Sequence, residues 1–300
     1  MKNIKHFIFC AAIISICLLL PACKTVSGLA QIAGATGMID QNTANAISNS
    51  STALGNAAEE ITPEQEYYIG RAVAANILSN YKLYNGSPAL TAYANRICNA
   101  ITINSPRPDI YSGYFVAILD TDEINAFATS GGHIFVSRGL IASAKSEDAL
   151  AAVIAHEIAN IQLQHSIKAI KTSRITQAWM VTGTSAVGAY AGVDVNELTD
   201  IFNESVGEIV TTMVNNGYSQ KQEFEADSTA LGLLASAGYN PSGLTDMLKE
   251  LDKTQKSSSG GFNKTHPTPS SRLANVNKDI KKYSVKDTSS ARKARFSAIK

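Results

Sequence analysis

The stretch that most constrains the fold is Leu150–Leu163, an almost unbroken run of Ala, Val, Leu and Ile with one charged pair, His156-Glu157, in its middle. Ser146-Glu147-Asp148 ahead of it supplies a helix start, and the spacing of Leu150, Val153, Ile154, Ile158 and Ile161 predicts a long buried helix reaching to about Lys171. A helix apolar on nearly every face belongs at the centre of a domain. The run Ala155-His156-Glu157-Ile158-Ala159-Asn160 is one residue away from H-E-x-x-H. In that pattern, imidazoles four residues apart return to within about 40° of each other on the helix and can share a metal ion, and the Glu acts as base on a bound water. Here Asn160 stands where the second imidazole belongs. An amide oxygen is a poor zinc ligand, better matched to harder cations. His165, nine residues past His156, would lie about 180° around a continuous helix and reads as a packing or surface residue.

The ends of the chain carry addresses rather than core. Lys2, Lys5 and His6 precede an apolar run, Phe7–Leu20, that closes on Leu20-Pro21-Ala22-Cys23. This pattern predicts a lipoprotein signal over residues 1–22, with Cys23 lipidated after cleavage. Lys24 rather than Asp follows the cysteine, which by similarity to sorted lipoproteins suggests the outer membrane, facing the periplasm. Residues 23–60, rich in Ala, Gly, Ser, Asn and Thr, read as a flexible tether with some weak helix. Residues 278–300 read as a mobile basic tail. Of the 4 cysteines, only Cys98 would remain unmodified in the mature chain, so no intrachain disulfide is available. The formal net charge of +1 gives no overall field for nucleic acid, and none is expected as a partner.

The domain, residues 61–277, opens on Thr62-Pro63-Glu64-Gln65, a capping box with Pro in the first turn of a helix to about Asn80. A second helix covers Pro88–Ile101, with Tyr93, Ala94, Ile97 and Cys98 on one face. Three short strands are predicted over Tyr114–Leu119, Ile124–Thr129 and His133–Ser137, close enough in sequence to form a small antiparallel sheet. Residues 175–193 read as a loop or helix pair, and 196–216 as helical. Gln220–Ala237 is predicted helical and carries Glu223-Phe224-Glu225-Ala226-Asp227, followed by a helix over Pro241–Lys253 and a last one after Thr265-His266-Pro267. On the Gln220–Ala237 helix Glu223 and Asp227 share a face, suited to a ligand and a carboxylate that orients it, while Glu225 points about 200° away.

These motifs, in this order, resemble the BepA/HtpX-like zinc metallopeptidases, peptidase family M48, of the gluzincin type. The resemblance spans roughly residues 62–275 and rests on Thr62-Pro63-Glu64-Gln65-Glu66, Asn125-Ala126-Phe127 with Gly131-Gly132, Ala155-His156-Glu157, Gly217-Tyr218-Ser219, Glu223-Phe224-Glu225-Ala226-Asp227 and Thr265-His266-Pro267. It implies an α+β, mainly helical, zincin-like domain with its sheet beside the long metal-site helix. It implies one zinc ion, with His156 and Glu223 as ligands, Glu157 as catalytic base and Asp227 orienting a ligand. It also implies that the strand His133-Ile134-Phe135 pairs with the substrate backbone. The resemblance further suggests His266 as an occupant of the metal's open position, and here it could complete a His156, Glu223, His266 set with Asn160 beside it. Arg272 reads as a partner for a carboxylate or the loop backbone. Two functions follow as expectations: a membrane-anchored metalloendopeptidase acting on misfolded or assembling envelope proteins, or, given Asn160, an inactive relative that binds or chaperones outer-membrane proteins.

Overall fold

The computed structural model describes residues 23–58, 61–168, 207, 210–211, 217–255, 266, 268–284, 287 and 289–299. Residues 1–22, expected as a lipoprotein signal, and the expected loop or helix pair 175–193 lie outside the described residues, as does the expected helix 196–216 apart from residues 207, 210 and 211. The chain divides into two units, residues 1–61 with 168–205, and residues 62–167 with 206–300.

In the first unit, residues 23–58 form a helical hairpin, α1 (Cys23–Ala35) and α2 (Gln41–Ala58), where the composition suggested a flexible tether. Asp40 accepts from the Thr43 backbone N–H at 2.9 Å and caps α2. Gly37 takes the positive φ of 71° that the turn needs. The helices meet where Gly34 lies against Ala44, and Ser27 Oγ bonds Ser48 Oγ at 2.7 Å. Small residues let the two backbones approach closely. No described helix is long and apolar enough to cross a membrane.

The second unit holds α3 (Pro63–Asn80), α4 (Pro88–Thr102), β1 (Phe115–Leu119), β2 (Ala126–Ala128), β3 (His133–Ser137), α5 (Arg138–Ser143), α6 (Glu147–Gln162), α7 (Gln220–Ser236), α8 (Ser242–Gln255), α9 (Pro269–Asp279) and α10 (Ser289–Ile299). The capping box of Thr62 and Gln65 forms as the sequence predicts, and Ser219 with Gln222 makes a second one at the start of α7. Helix α6 is the axis. It is buried from Ala149 to Ile161 and packs against α4, α7, α8 and β2.

The sheet is mixed, not antiparallel. Its order is β1-β3-β2, with β1 parallel and β2 antiparallel to β3. The short β1–β2 connection suggests a hairpin, but six residues easily span the two strand spacings, about 10 Å, that let β3 enter between them. Arg138 pins this connection, bonding Asp120 at 2.7 Å and Asp122 at 3.2 Å. Because β3 is paired on both sides, His133, Ile134 and Phe135 have no free edge for a substrate strand. The outer edge of β1 is in turn capped by Lys82–Tyr84.

Helix α3 crosses the β2–β3 turn at Gly70, where an added Cβ would stand 1.4 Å from the Ser130 carbonyl oxygen. Gly70→Ala must therefore push α3 off the turn, and the expected loss is at least about 1–3 kcal/mol, read as a shift of the urea midpoint. Cys98 is fully buried, and that burial pushes its thiol up to about 12. Alkylation of Cys98 in the native protein at neutral pH is expected to be undetectable beside prompt reaction in concentrated guanidinium; labelling in native buffer at the rate of a free thiol would contradict the packing.

The C-terminal stretch expected as a mobile tail is instead docked. Arg292 bonds Asp148 at 2.9 Å, Arg295 bonds Glu147 at 2.5 Å, and Phe296 enters the core. Glu147 is itself buried and accepts from the Tyr93 hydroxyl at 2.7 Å. The basic residues thus face the acidic first turn of α6, a pairing invisible when the tail is read alone.

Candidate metal centre

Helix α6 ends sooner than its apolar run suggests. Gln162 is its last residue, Leu163 caps it, and Gln164 turns the chain with φ of 54°. That turn corrects the helical placement of His165. The ring does not lie on the far side of a longer helix but folds back, fully buried, with Nδ1 2.9 Å from Asn160 Oδ1.

His156 projects from the middle of α6 toward α7. Its Nδ1 is 3.0 Å from Asp227 Oδ1, which calls for a hydrogen on Nδ1 and leaves the lone pair on Nε2. Nε2 is buried without a hydrogen-bond partner among the described residues, 3.5 Å from Glu223 Oε2. Glu157 Oε1 and Glu223 Oε2 are likewise buried without such a partner. His266 arrives from beyond α8, with its Nδ1 donating to Glu223 Oε1 at 2.8 Å. The His156 and His266 rings meet edge to face at 5.4 Å. Among the described residues, His156, Glu157 and His266 bring ligating atoms within 4.8 Å of one another.

Arg272, on the first turn of α9, closes the cluster from behind. Its Nε and Nη2 donate to the two oxygens of Asp227 at 2.8 and 2.6 Å, and its Nη1 stands 3.3 Å from Glu223 Oε2. The sequence places Arg272 near a carboxylate but gives no sign that it spans both. Its side chain is buried, and the loss of hydration would by itself lower its pKa; Asp227 and Glu223 outweigh that and hold it fully charged. Burial would raise Glu223, but His266, Arg272 and His156 outweigh it and bring the carboxyl down to about 2. Asp227 is lowered further, because Arg272 and His156 overcome its burial. For His156, burial and Arg272 oppose a charge, and the two carboxylates prevail, so its pKa lies above the usual value. Both carboxylates are therefore anionic at neutral pH. Beside them His156, Glu157 and Arg272 border a small hollow walled by Val153, Leu244, Met247, Leu248 and Leu251.

Buried lone pairs without partners among the described residues, two imidazoles and an anionic carboxylate make a donor set that fits a divalent cation. His156, Glu157 and His266 bring candidate ligand atoms together, and Glu223 stands against both imidazoles. Tyr218, from the Gly-Tyr-Ser motif, bonds Ser166 and lies close enough to Glu157 and Glu223 that, after burial, their charges raise its pKa.

The sequence model of Peptidase family M48 matches residues 88–280. The chain belongs to peptidase family M48. Among its M48 relatives, the Metalloprotease LoiP of Escherichia coli K12 is 29% identical over 194 residues, 63% of this chain and 71% of LoiP. The Beta-barrel assembly-enhancing protease of the same strain is 27% identical over 221 residues, 71% of this chain and 43% of that protein. The Mitochondrial metalloendopeptidase OMA1 of Schizosaccharomyces pombe is 27% identical over 198 residues, 65% of this chain and 55% of OMA1. The chain thus spans less than half of the assembly-enhancing protease. M48 metalloproteases use zinc, and His156, Glu157 and His266 form a possible metal-binding cluster in this member.

Proposed function

We propose that this M48 protein is a metal-dependent endopeptidase in which His266 stands in for the imidazole that Asn160 lacks. The observation that carries this is the contact of His266 with Glu223, 2.8 Å away and opposite the unpartnered Nε2 of His156. A chain that had long abandoned metal chemistry would have no reason to keep two anionic carboxylates, two imidazoles and an arginine buried together, since unpaired charge in a core is costly.

The ion, when bound, would polarise the scissile carbonyl and make an attacking water more acidic. Glu157 takes that water's proton at its unpartnered oxygen and returns it to the departing amine. Asp227 keeps the hydrogen on His156 Nδ1 and so keeps Nε2 free to ligate. Arg272 holds Asp227 in place. An extended substrate would run beside the outer edge of β2, which pairs with β3 alone among the described strands.

For substrate and place, the reading is an outer-membrane lipoprotein anchored through Cys23, acting on misfolded or assembling envelope proteins at the periplasmic face. The Leu20-Pro21-Ala22-Cys23 sequence and the name of the assembly-enhancing relative support it. Asn160 favours a second reading, a binding protein on a peptidase scaffold. Elemental analysis of the mature chain together with cleavage of an unfolded β-barrel protein separates them. About one zinc per chain and cleavage abolished by Glu157→Gln support the endopeptidase. A protein that retains a barrel precursor without cutting it, and holds no metal, supports the binding protein. Incorporation of labelled palmitate, lost in Cys23→Ser, tests the anchor.

A further inference from the structure

The hairpin of α1 and α2 takes no part in the metal cluster, and one side of α1 is unlike a surface made for water. Helix α1 meets α2 through Ser27, Gln31 and Gly34. Ser27 Oγ lies 2.7 Å from Ser48 Oγ, Gln31 Nε2 donates to Asn45 Oδ1 at 3.3 Å, and Gly34 rests on Ala44. With about 100° between successive residues, Leu29 and Ile32 fall on the opposite side of the helix. They are 60% and 62% exposed, and Met38, in the turn after α1, is 64% exposed. Gly28 and Thr36 border them and are exposed too. The Thr36 hydroxyl donates to the Ile32 carbonyl oxygen at 2.9 Å, so it asks nothing of water.

The charge pattern narrows what this side can meet. Between Cys23 and Ala58 the charged residues are Lys24 and Asp40, and neither lies in the stretch from Thr25 to Ile39. A partner that relied on ion pairs, or an anionic surface drawn to lysines, finds no counterpart along this side. Neighbouring aliphatic side chains on an uncharged face fit an apolar medium instead. The start of the helix says which one. Cys23, the residue read as lipidated, is the first residue of α1. Its acyl chains would hold the first turn at a bilayer. Standing upright, the helix would lift Ile32 about 14 Å from that point into water. Lying down, it sets Leu29 and Ile32 among the acyl chains. Spanning is not an option, since no described helix is long and apolar enough.

We propose that α1 lies in the interface of the bilayer that holds Cys23, with Leu29 and Ile32 immersed and α2 carried on the side away from the lipid. This rests on the reading of Cys23 as the anchor. The hairpin then does what a flexible tether does not: it fixes the direction in which the chain leaves the membrane. The partner is the apolar interior of the bilayer, not an anionic headgroup.

The test uses the mature full-length lipidated chain in phosphatidylcholine vesicles. Because Cys98 is buried, Leu29→Cys, Ile32→Cys and Asn49→Cys each supply the one thiol that an environment-sensitive dye can reach. Dyes at 29 and 32 should shift to the blue and lose most of their emission to brominated acyl chains. The dye at 49, exposed on α2, should do neither. Replacing about a third of the phosphatidylcholine with phosphatidylglycerol should change nothing. In the Cys23→Ser chain, which lacks the lipid, Leu29→Asn with Ile32→Asn should lower the remaining affinity for vesicles at least about tenfold. Both side chains are exposed, so this variant should fold, which circular dichroism verifies. Dyes at 29 and 32 as wet as the dye at 49 would overturn the lying helix and leave the lipid anchor standing. A blue shift that brominated lipid does not quench and that fades on dilution would mean that a second copy covers this side, which also overturns the proposal. A chain that takes up no palmitate would overturn the anchor, and the membrane-bound hairpin with it.

Discussion

Arg272→Ala is expected to lower the stability of the metal-free protein by about 3–5 kcal/mol. The guanidinium is 1% exposed and is shared by Asp227 and Glu223, each 0% exposed. Removing it leaves two anions in a core with only two imidazoles to offset them, and breaking a buried ion pair from one side costs that much. For a chain of this size the loss corresponds to a melting temperature lower by roughly 6–20 °C. Arg272→Lys keeps the charge but not the fork that grips both carboxylates, so it should fall between. Saturating zinc should recover part of the loss, since a cation then balances the same anions. A chelator-treated Arg272→Ala protein that melts within a degree or two of the native one would show that the cluster is not held by this charge.

Asn160→His is expected to tighten zinc binding at least about 100-fold. Apparent zinc affinities of roughly 10–16 kcal/mol, spread over four protein ligands, assign about 2.5–4 kcal/mol to each. An imidazole in place of an amide at the fourth position after His156 should capture much of one such share. Chelator competition measures it directly. Cleavage of unfolded protein should rise in parallel, because more molecules carry the ion at a given zinc concentration. Affinity unchanged within a factor of about three would mean that residue 160 does not look onto the metal position.

Most of this architecture can be read from residue order. The capping box at Thr62, the strand limits near Phe115 and His133, and the pairing of an α6 histidine with a carboxylate pair on a later helix all come from local rules of spacing. What escapes is decided by distant residues. Strand order depends on which strand slips between two others, and alternation along β1, β2 and β3 is the same for either sheet. The basic stretch after Asp279 reads as solvated until Glu147 and Asp148 are found opposite Arg295 and Arg292. Arg272 has no motif of its own; a lone arginine six residues past His266 is explained only when α9 brings it to Asp227. His165 escapes for a nearer reason. One residue, Gln164, adopts a left-handed conformation that no side-chain preference announces, and the helical wheel stops applying there.

The burial of α6 on all sides has a kinetic meaning. Metallodomains that fold around their ion lose their backbone protection when it is removed. Here the helix that carries His156, Glu157 and Asn160 is sealed by α4, α7, α8 and β2 through apolar contacts that need no ion. Its amide hydrogens should therefore exchange with solvent deuterium only through global unfolding, at nearly the same rate with and without zinc. Release and recapture of the metal would then be a matter of side-chain motion at His266, fast compared with unfolding, and the empty protein would wait in a form already shaped to receive its ion.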